Sequence, residues 1–413
     1  MAALLLCCTP LCAANWRTLT APGFELYTDT SDRSVTQMLE RLAQIRRVLP
    51  EIESPGPVTL RIFLFDKQRD YAAFAPSGAA GFYQTGFERD YIALPAGSTL
   101  PRVVVHEYVH FALRRGSPGP RPAWLEEGLA EFYSNAEVTR NRARIGAPIL
   151  EHLSILASKE WLTAEQLESS RGSPIFYAQS WALVHMLRSE PQFPERITAR
   201  HLEALKRYLP RLRTTSIDLA PAAPALQLRA EPIPALEALL VQGELALRTN
   251  HVDFAGTFYE QAARDYPNAA SASLGLGILA RARGRTEEAR GHLQRALVLN
   301  DRDAMTWFQW AVLENDHAAL EKAARLNPNF GEARSLLGVR ATDDGDLPAA
   351  LEHLQQAARL LPRKSYVWYS LAFAQFKAGQ PEPAATSLES ALRTATSPEQ
   401  IQMAQTLLDS LRR

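Results

Sequence analysis

Residues 235–413 of this 413-residue chain carry small residues at a fixed interval, and no other feature restricts the fold so tightly. Gly243, Gly277, Ala311, Gly338 and Ala372 are separated by 34, 34, 27 and 34 positions. A second small residue stands 12 positions after four of them, at Ala255, Ala289, Ala350 and Ala384, and a third 7 further on, at Ala262, Ala296, Ala357 and Ala391. Pro267 and Pro362 then close their repeats. A period of this length marks a solenoid, because each unit buries its apolar face only against its neighbours. The third interval is short by 7 residues, and Ala324 and Pro328 restore the register.

The pattern resembles the tetratricopeptide repeat, in four full copies and one shortened one. The resemblance implies an all-α solenoid whose groove takes a peptide or protein segment. The same surface also suits a docking platform that stabilises the rest of the chain.

A second signal lies at His106-Glu107-Tyr108-Val109-His110. Residues four apart share a helix face, so both imidazoles point at one place, where a metal ion satisfies them. Glu107 then stands beside a metal-activated water as its general base. The helix has clear limits: Ser98 or Thr99 as cap, Pro101 in the first turn, Arg114 and Arg115 in the last, then Gly116 and Pro118. Val103, Val104, Val105, Val109 and Phe111 make it apolar nearly all round, so it is expected to be buried.

Catalytic zinc takes three protein ligands and keeps one position open. The next helical segment, Trp124-Leu125-Glu126-Glu127-Gly128, completes a resemblance to the gluzincin metallopeptidases, whose HExxH helix is followed by such a segment. The resemblance covers about residues 100–135, and implies zinc held by His106, His110 and Glu127. It gives Glu131 the place of an acid that bonds the first histidine and fixes its ring. It also implies that a later helix supplies an oxyanion donor, and Tyr177 falls at that distance, with Gln179 and His185 further along. The gap from His110 to Glu127 holds 16 residues, slightly short for the family, and the orienting acid is Glu rather than Asp. On the residues alone alternatives stand: Glu126 as the ligand, Tyr177 and His185 as packing, or Glu126, Glu127 and Glu131 as one solvated face.

The rest of the chain frames these two signals. Phe24–Tyr27 and Val58–Phe65 alternate as strands, Ser31–Leu49 carries helical spacing, and Gly81–Leu94 reads as a hairpin leading to the metal helix. Tyr91–Leu94 is the expected edge strand beside the metal, where an extended peptide adds on. Residues 99–210 are expected to be helical and 212–234, rich in proline and alanine, to be a linker. The expected fold is thus an α+β metallopeptidase-like domain, a small sheet plus the HExxH helix bundle over 15–211, followed by the repeats. Lys and Arg total 45 and so do Asp and Glu, which gives no basic surface for nucleic acid.

All three cysteines lie in the first twelve residues, so thiolate ligands and disulfides are excluded from the body. The apolar run there, ending Cys12-Ala13-Ala14, reads as a signal peptide over 1–14 with cleavage before Asn15, although a basic start is missing. Export to the periplasm or medium follows, or tethering by an uncleaved leader. No other stretch approaches the roughly 18 apolar residues of a membrane span. The function expected is zinc-dependent hydrolysis of a peptide or protein substrate, with a protein partner at the repeats. The alternative is a peptidase-like scaffold without turnover that acts through its repeats.

Overall fold

The computed structural model describes residues 15–21, 23–49, 59–85, 89–116, 121–169, 172–188, 193–194, 196–219, 229–395 and 397–411. The expected leader and residues 220–228 of the expected linker lie outside the described residues. The chain forms two compact units, one over Thr18–Ser117 and Arg121–Glu231, the other from Pro232 onward with residues 15–17.

The first unit is built on β1 (Arg17–Ala21), β2 (Phe24–Thr28), β3 (Thr59–Phe65), β4 (Phe82–Gln84) and β5 (Arg89–Pro95), with β9 (Glu231–Pro232) joining last in sequence. Their order across the sheet is β4-β5-β3-β2-β1-β9. β2 and β3 are parallel, with Leu26 opposite Ile62, and their crossover is the helix α1 (Asp32–Arg46). Ser31 caps α1 by accepting from the amide of Ser34, as the serine before an apolar period should. Val35, Met38, Leu42 and Ile45 of α1 meet Leu60, Ile62 and Leu64 of β3 in one core, together with Val104, Val105 and Val109 of α3 (Leu100–Gly116). α3 is therefore backed by the sheet, as its apolar sequence requires.

The hairpin forms, but with a different outer strand from the one expected. β5, which contains Tyr91–Leu94, lies between β3 and β4 and pairs with both, so it is interior to the sheet. The edge is β4, only three residues long. A strand that short carries too few alternations to be read from sequence.

α4 (Ala123–Ser134) packs on α3, α7 (Pro174–Leu187) on α4, and α5 (Leu150–Ser158) on α7. Gly128 of α4 is where two of these helices touch: a Cβ there would strike the carbonyl oxygen of Ser180 and, at 2.6 Å, Val184 of α7. Only glycine permits that approach, which sets the depth and rotation of α4. The region is not purely helical as expected. β6 (Glu137–Val138), β7 (Arg142–Ile145) and β8 (Thr215–Asp218) form a small antiparallel sheet. β8 and β9 come from the segment expected to be a linker, so its described ends are strands paired into the two sheets.

The second unit is a run of helices from α9 (Ala235–Arg248) to α18 (Pro381–Thr394), followed by α19 (Pro398–Leu411). Its small residues act as their spacing suggests. Gly243 faces Tyr259, Gly277 faces Leu293 and Gly338 faces Leu354, each across one helix pair and each too close to admit a Cβ. The alanines at the second and third positions of the pattern are fully buried. The shortened repeat has a plain cause: α13 (Ala304–Glu314) and α14 (His317–Leu326) hold 11 and 10 residues, against 14 and 14 in the first pair. Each helix has lost about one turn, which keeps the facing surfaces in phase.

Candidate metal centre

α3 and α4 bring His106, His110 and Glu127 together. Nε2 of His106 lies 3.2 Å from Nε2 of His110, and each lies 3.4 Å from Glu127 Oε2. Zinc bound at roughly 2.0–2.1 Å by nitrogen and oxygen in tetrahedral geometry would hold its ligand atoms about 3.3–3.4 Å apart. The near-equilateral triangle of donors matches that spacing, and among the described residues these three are the group able to hold a metal ion. The donor chemistry fits too, since neutral imidazole and carboxylate suit zinc where no thiolate is at hand. Glu126 turns away toward Arg114, at 3.8 Å, so the ligand geometry falls on Glu127.

Charge at the centre points the same way. Glu107, Glu127 and Glu131 converge on two histidines. Burial by itself would drive a proton from His106, but its bonds to Glu127 and Glu131 win and raise it from 6.5 to about 10. Burial likewise opposes ionisation of Glu127 and Glu131, yet the histidines beside them hold both carboxyls well below the usual range. The site thus demands positive charge, which a cation supplies as well as a proton does.

Glu107 occupies a different environment from its neighbours. It is buried, and burial raises its carboxyl above the ordinary value, with the charge of Glu127 adding to the rise. The histidines and the amide N–H of Tyr83, which donates to it, oppose the shift. A carboxylate so destabilised accepts a proton more readily, as a general base must. Gly81, at the start of the edge hairpin, packs against the same face of α3: a Cβ there would lie 2.5 Å from Cγ1 of Val103 and 3.3 Å from Cγ of Glu107.

Oε1 of Glu131 lies 3.3 Å from Nδ1 of His106. Tyr177 is half-buried at the start of α7, its ring centroid 6.5 Å from that of His106. Two residues further along α7 stand apart from the centre, His185 as the packing reading has it. Gln179 gives both ends of its amide to the backbone of Leu162, at 2.7 and 3.1 Å, and donates nothing at the site. His185 is fully buried between Tyr208 Oη and the carbonyl of Gly146, at 2.8 and 2.9 Å, and serves packing. Sequence reasoning missed Tyr83, Arg102 and His152. Tyr83 stacks on His110 with 14° between the rings, while Arg102 and His152 both reach Glu131. The available signal was weak: a lone histidine on the apolar helix α5, and an arginine one turn before His106.

Comparison with known proteins reaches the second unit. The family described as tetratricopeptide repeat matches at residues 240–304 and at 341–408. The C-terminal part is accordingly a tetratricopeptide-repeat solenoid, a fold that suggests binding of a protein partner. Among solved structures, the chain is similar to YrrB, described as a TPR protein with an unusual peptide-binding site, at 20% identity over 41% of this chain and 91% of that one, TM-score 0.33. PilF of Pseudomonas aeruginosa is similar at 16% identity, 43% and 88% coverage and TM-score 0.38. The type IV pilus biogenesis factor PilW is similar at 16% identity, 43% and 89% coverage and TM-score 0.37. No curated protein matches the chain.

Proposed function

We propose that the first unit is a zinc-dependent peptide hydrolase of gluzincin type and that the repeats bind a protein segment. The observation that carries the first part is the donor triangle of His106, His110 and Glu127, with edges of 3.2–3.4 Å. Zinc held there would act as a Lewis acid, acidifying water and polarising a carbonyl. Glu107 takes the proton from the attacking water and later delivers it to the leaving amine. Tyr177, on the His106 side, donates to the oxyanion that forms on the substrate carbonyl. An extended peptide adds to β4, the outer strand next to Glu107, with backbone hydrogen bonds fixing its register.

A second reading has its own support: both family matches fall within the repeats, which favours a protein-interaction scaffold whose first unit has no turnover. One comparison separates the two. Wild type and Glu107→Gln are each loaded with zinc and given an unbiased peptide library. Cleavage by wild type alone supports the hydrolase. Equal silence from both, with zinc bound, supports the scaffold.

A further inference from the structure

His152 is a buried histidine for which the proposed reaction has no task. It projects from α5, is 5% exposed, and packs on Trp181 with ring centroids 5.6 Å apart. Its Nε2 lies 3.1 Å from Glu131 Oε2, and its Nδ1 has no hydrogen-bond partner among the described residues. Placing the proton on Nδ1 would bury an N–H with no acceptor and leave two lone pairs facing each other across the Glu131 contact. The proton therefore sits on Nε2 and is donated to the carboxylate.

Arg102 donates to the same oxygen from α3, at 2.5 Å, leaving Oε1 of Glu131 to face Nδ1 of His106 at 3.3 Å. Three donors from two helices thus converge on one carboxylate. With Oε2 held twice, the carboxylate has no freedom to rotate, and Oε1 stays aimed at the His106 ring. That bond fixes the His106 tautomer and turns its Nε2 toward His110 and Glu127.

We propose that His152 and Arg102 are positioning residues which lock Glu131 and so set the affinity of the centre for zinc. The proposal rests on the zinc reading above. Ring orientation matters because a ligand that must be ordered on binding weakens the site, whereas one already held does not.

The test is the zinc affinity of the full chain, read by competition with a chromophoric chelator, in wild type, His152→Ala, His152→Gln and Arg102→Gln. Wild type should bind one zinc per chain, and His152→Ala should bind it about tenfold or more weakly. His152→Gln keeps an N–H near the place of Nε2 and should recover most of the loss. A merely structural role would lower the melting temperature of both His152 variants without separating them in affinity. Equal affinity within about twofold for wild type and His152→Ala overturns the positioning role while leaving the zinc reading intact. A wild type that binds no zinc overturns that reading and this proposal with it. Arg102 is half-buried, so Arg102→Gln, expected to weaken zinc several-fold, decides the matter even if His152→Ala fails to fold.

Discussion

Glu131 Oε1 stands 3.3 Å from Nδ1 of His106 while Glu127 Oε2 stands 3.4 Å from Nε2 of the same ring, so one helix supplies carboxylates to both nitrogens. Glu127 and Glu131 are four apart on α4, and His106 and His110 are four apart on α3. The two helices thus interleave these side chains in the order His110, Glu127, His106, Glu131, each in contact with the next. The arrangement assigns unequal roles to similar residues, and substitutions should expose the difference.

Wild type is expected to carry about one zinc per chain, and His110→Ala or Glu127→Ala to lose most of it, because each removes a corner of the donor triangle. Glu126→Ala should keep the metal, since Glu126 is turned toward Arg114. Metal analysis after equilibration with a weak chelator reads this directly. Depletion by Glu126→Ala with retention by Glu127→Ala would show that α4 is rotated by one residue from the position described.

The acid–base balance of the metal-free protein gives a pH signature. His106 is raised in the folded state from 6.5 to about 10, so the folded protein holds that proton more tightly than the unfolded chain does. The associated stability is fully present below pH 6.5 and is lost as pH rises through about 10. Glu127 and Glu131 are lowered, so their contribution is present above the ordinary carboxylate value of 4.5 and is lost as pH falls below it. The chelated protein should therefore melt at lower temperature at pH 10 than at pH 7, and saturating zinc should remove that fall by replacing the proton. A melting temperature that climbs from pH 7 to pH 10 without zinc would contradict the charge assignment at His106.

The two units differed in how much their sequence disclosed. Gly277 and Ala289 are legible because a solenoid repeats one packing solution, so each small residue is announced by its counterparts one period away. His106 and His110 are legible because they stand four apart on one helix, a spacing that carries both rings to the same place. His152 has no such companion, since its role depends on where α5 lies against α4, which is a tertiary fact. The same holds for the edge of the sheet: Tyr91–Leu94 has the stronger strand composition, but β3 and β4 cover both of its sides. Gln179 was misread because a glutamine on a buried helix has two readings, and the nearby backbone of Leu162 decided between them.

Two glycines in the repeats should respond in opposite directions to the same change. Replacing glycine by alanine inside a helix ordinarily stabilises by about 0.5–1 kcal/mol. Gly291 on α12 (Thr286–Leu299) is exposed with nothing within 4 Å of a Cβ, so Gly291→Ala should show that gain. At Gly338 a Cβ would lie 2.5 Å from Cγ of Leu354 and 3.1 Å from the Ala350 carbonyl. Gly338→Ala forces that pair of helices apart and should cost about 1–3 kcal/mol instead. Denaturant melts of the two variants should bracket wild type, and a stabilised Gly338→Ala would mean that the helix pair is looser than described.

The limits of the first unit set the last expectation. Composition places its end near Arg211, but Thr215–Asp218 pairs with β7, and Glu231–Pro232 adds to the larger sheet. The pairing of Ile217 with Ala143 and the bond from the Leu219 amide to Asn141 tie the strand after Arg211 back to residues just beyond α4. A protein ending at Arg211 leaves the backbone groups of β7 that face β8 unpaired, and exposes a new sheet edge. It should therefore melt several degrees below one ending at Pro234, and aggregate more readily. The longer form should fold, bind zinc, and cleave short generic peptides as well as the full chain, while losing affinity for the natural protein target. The comparison needs three measurements on each form: zinc content, thermal melting, and cleavage of peptide and protein substrates. Loss of solubility or of zinc in the Pro234 form would make the repeats a buttress and remove their separate recognition role. Undiminished cleavage of the protein target by that form would assign the groove to a partner other than the substrate.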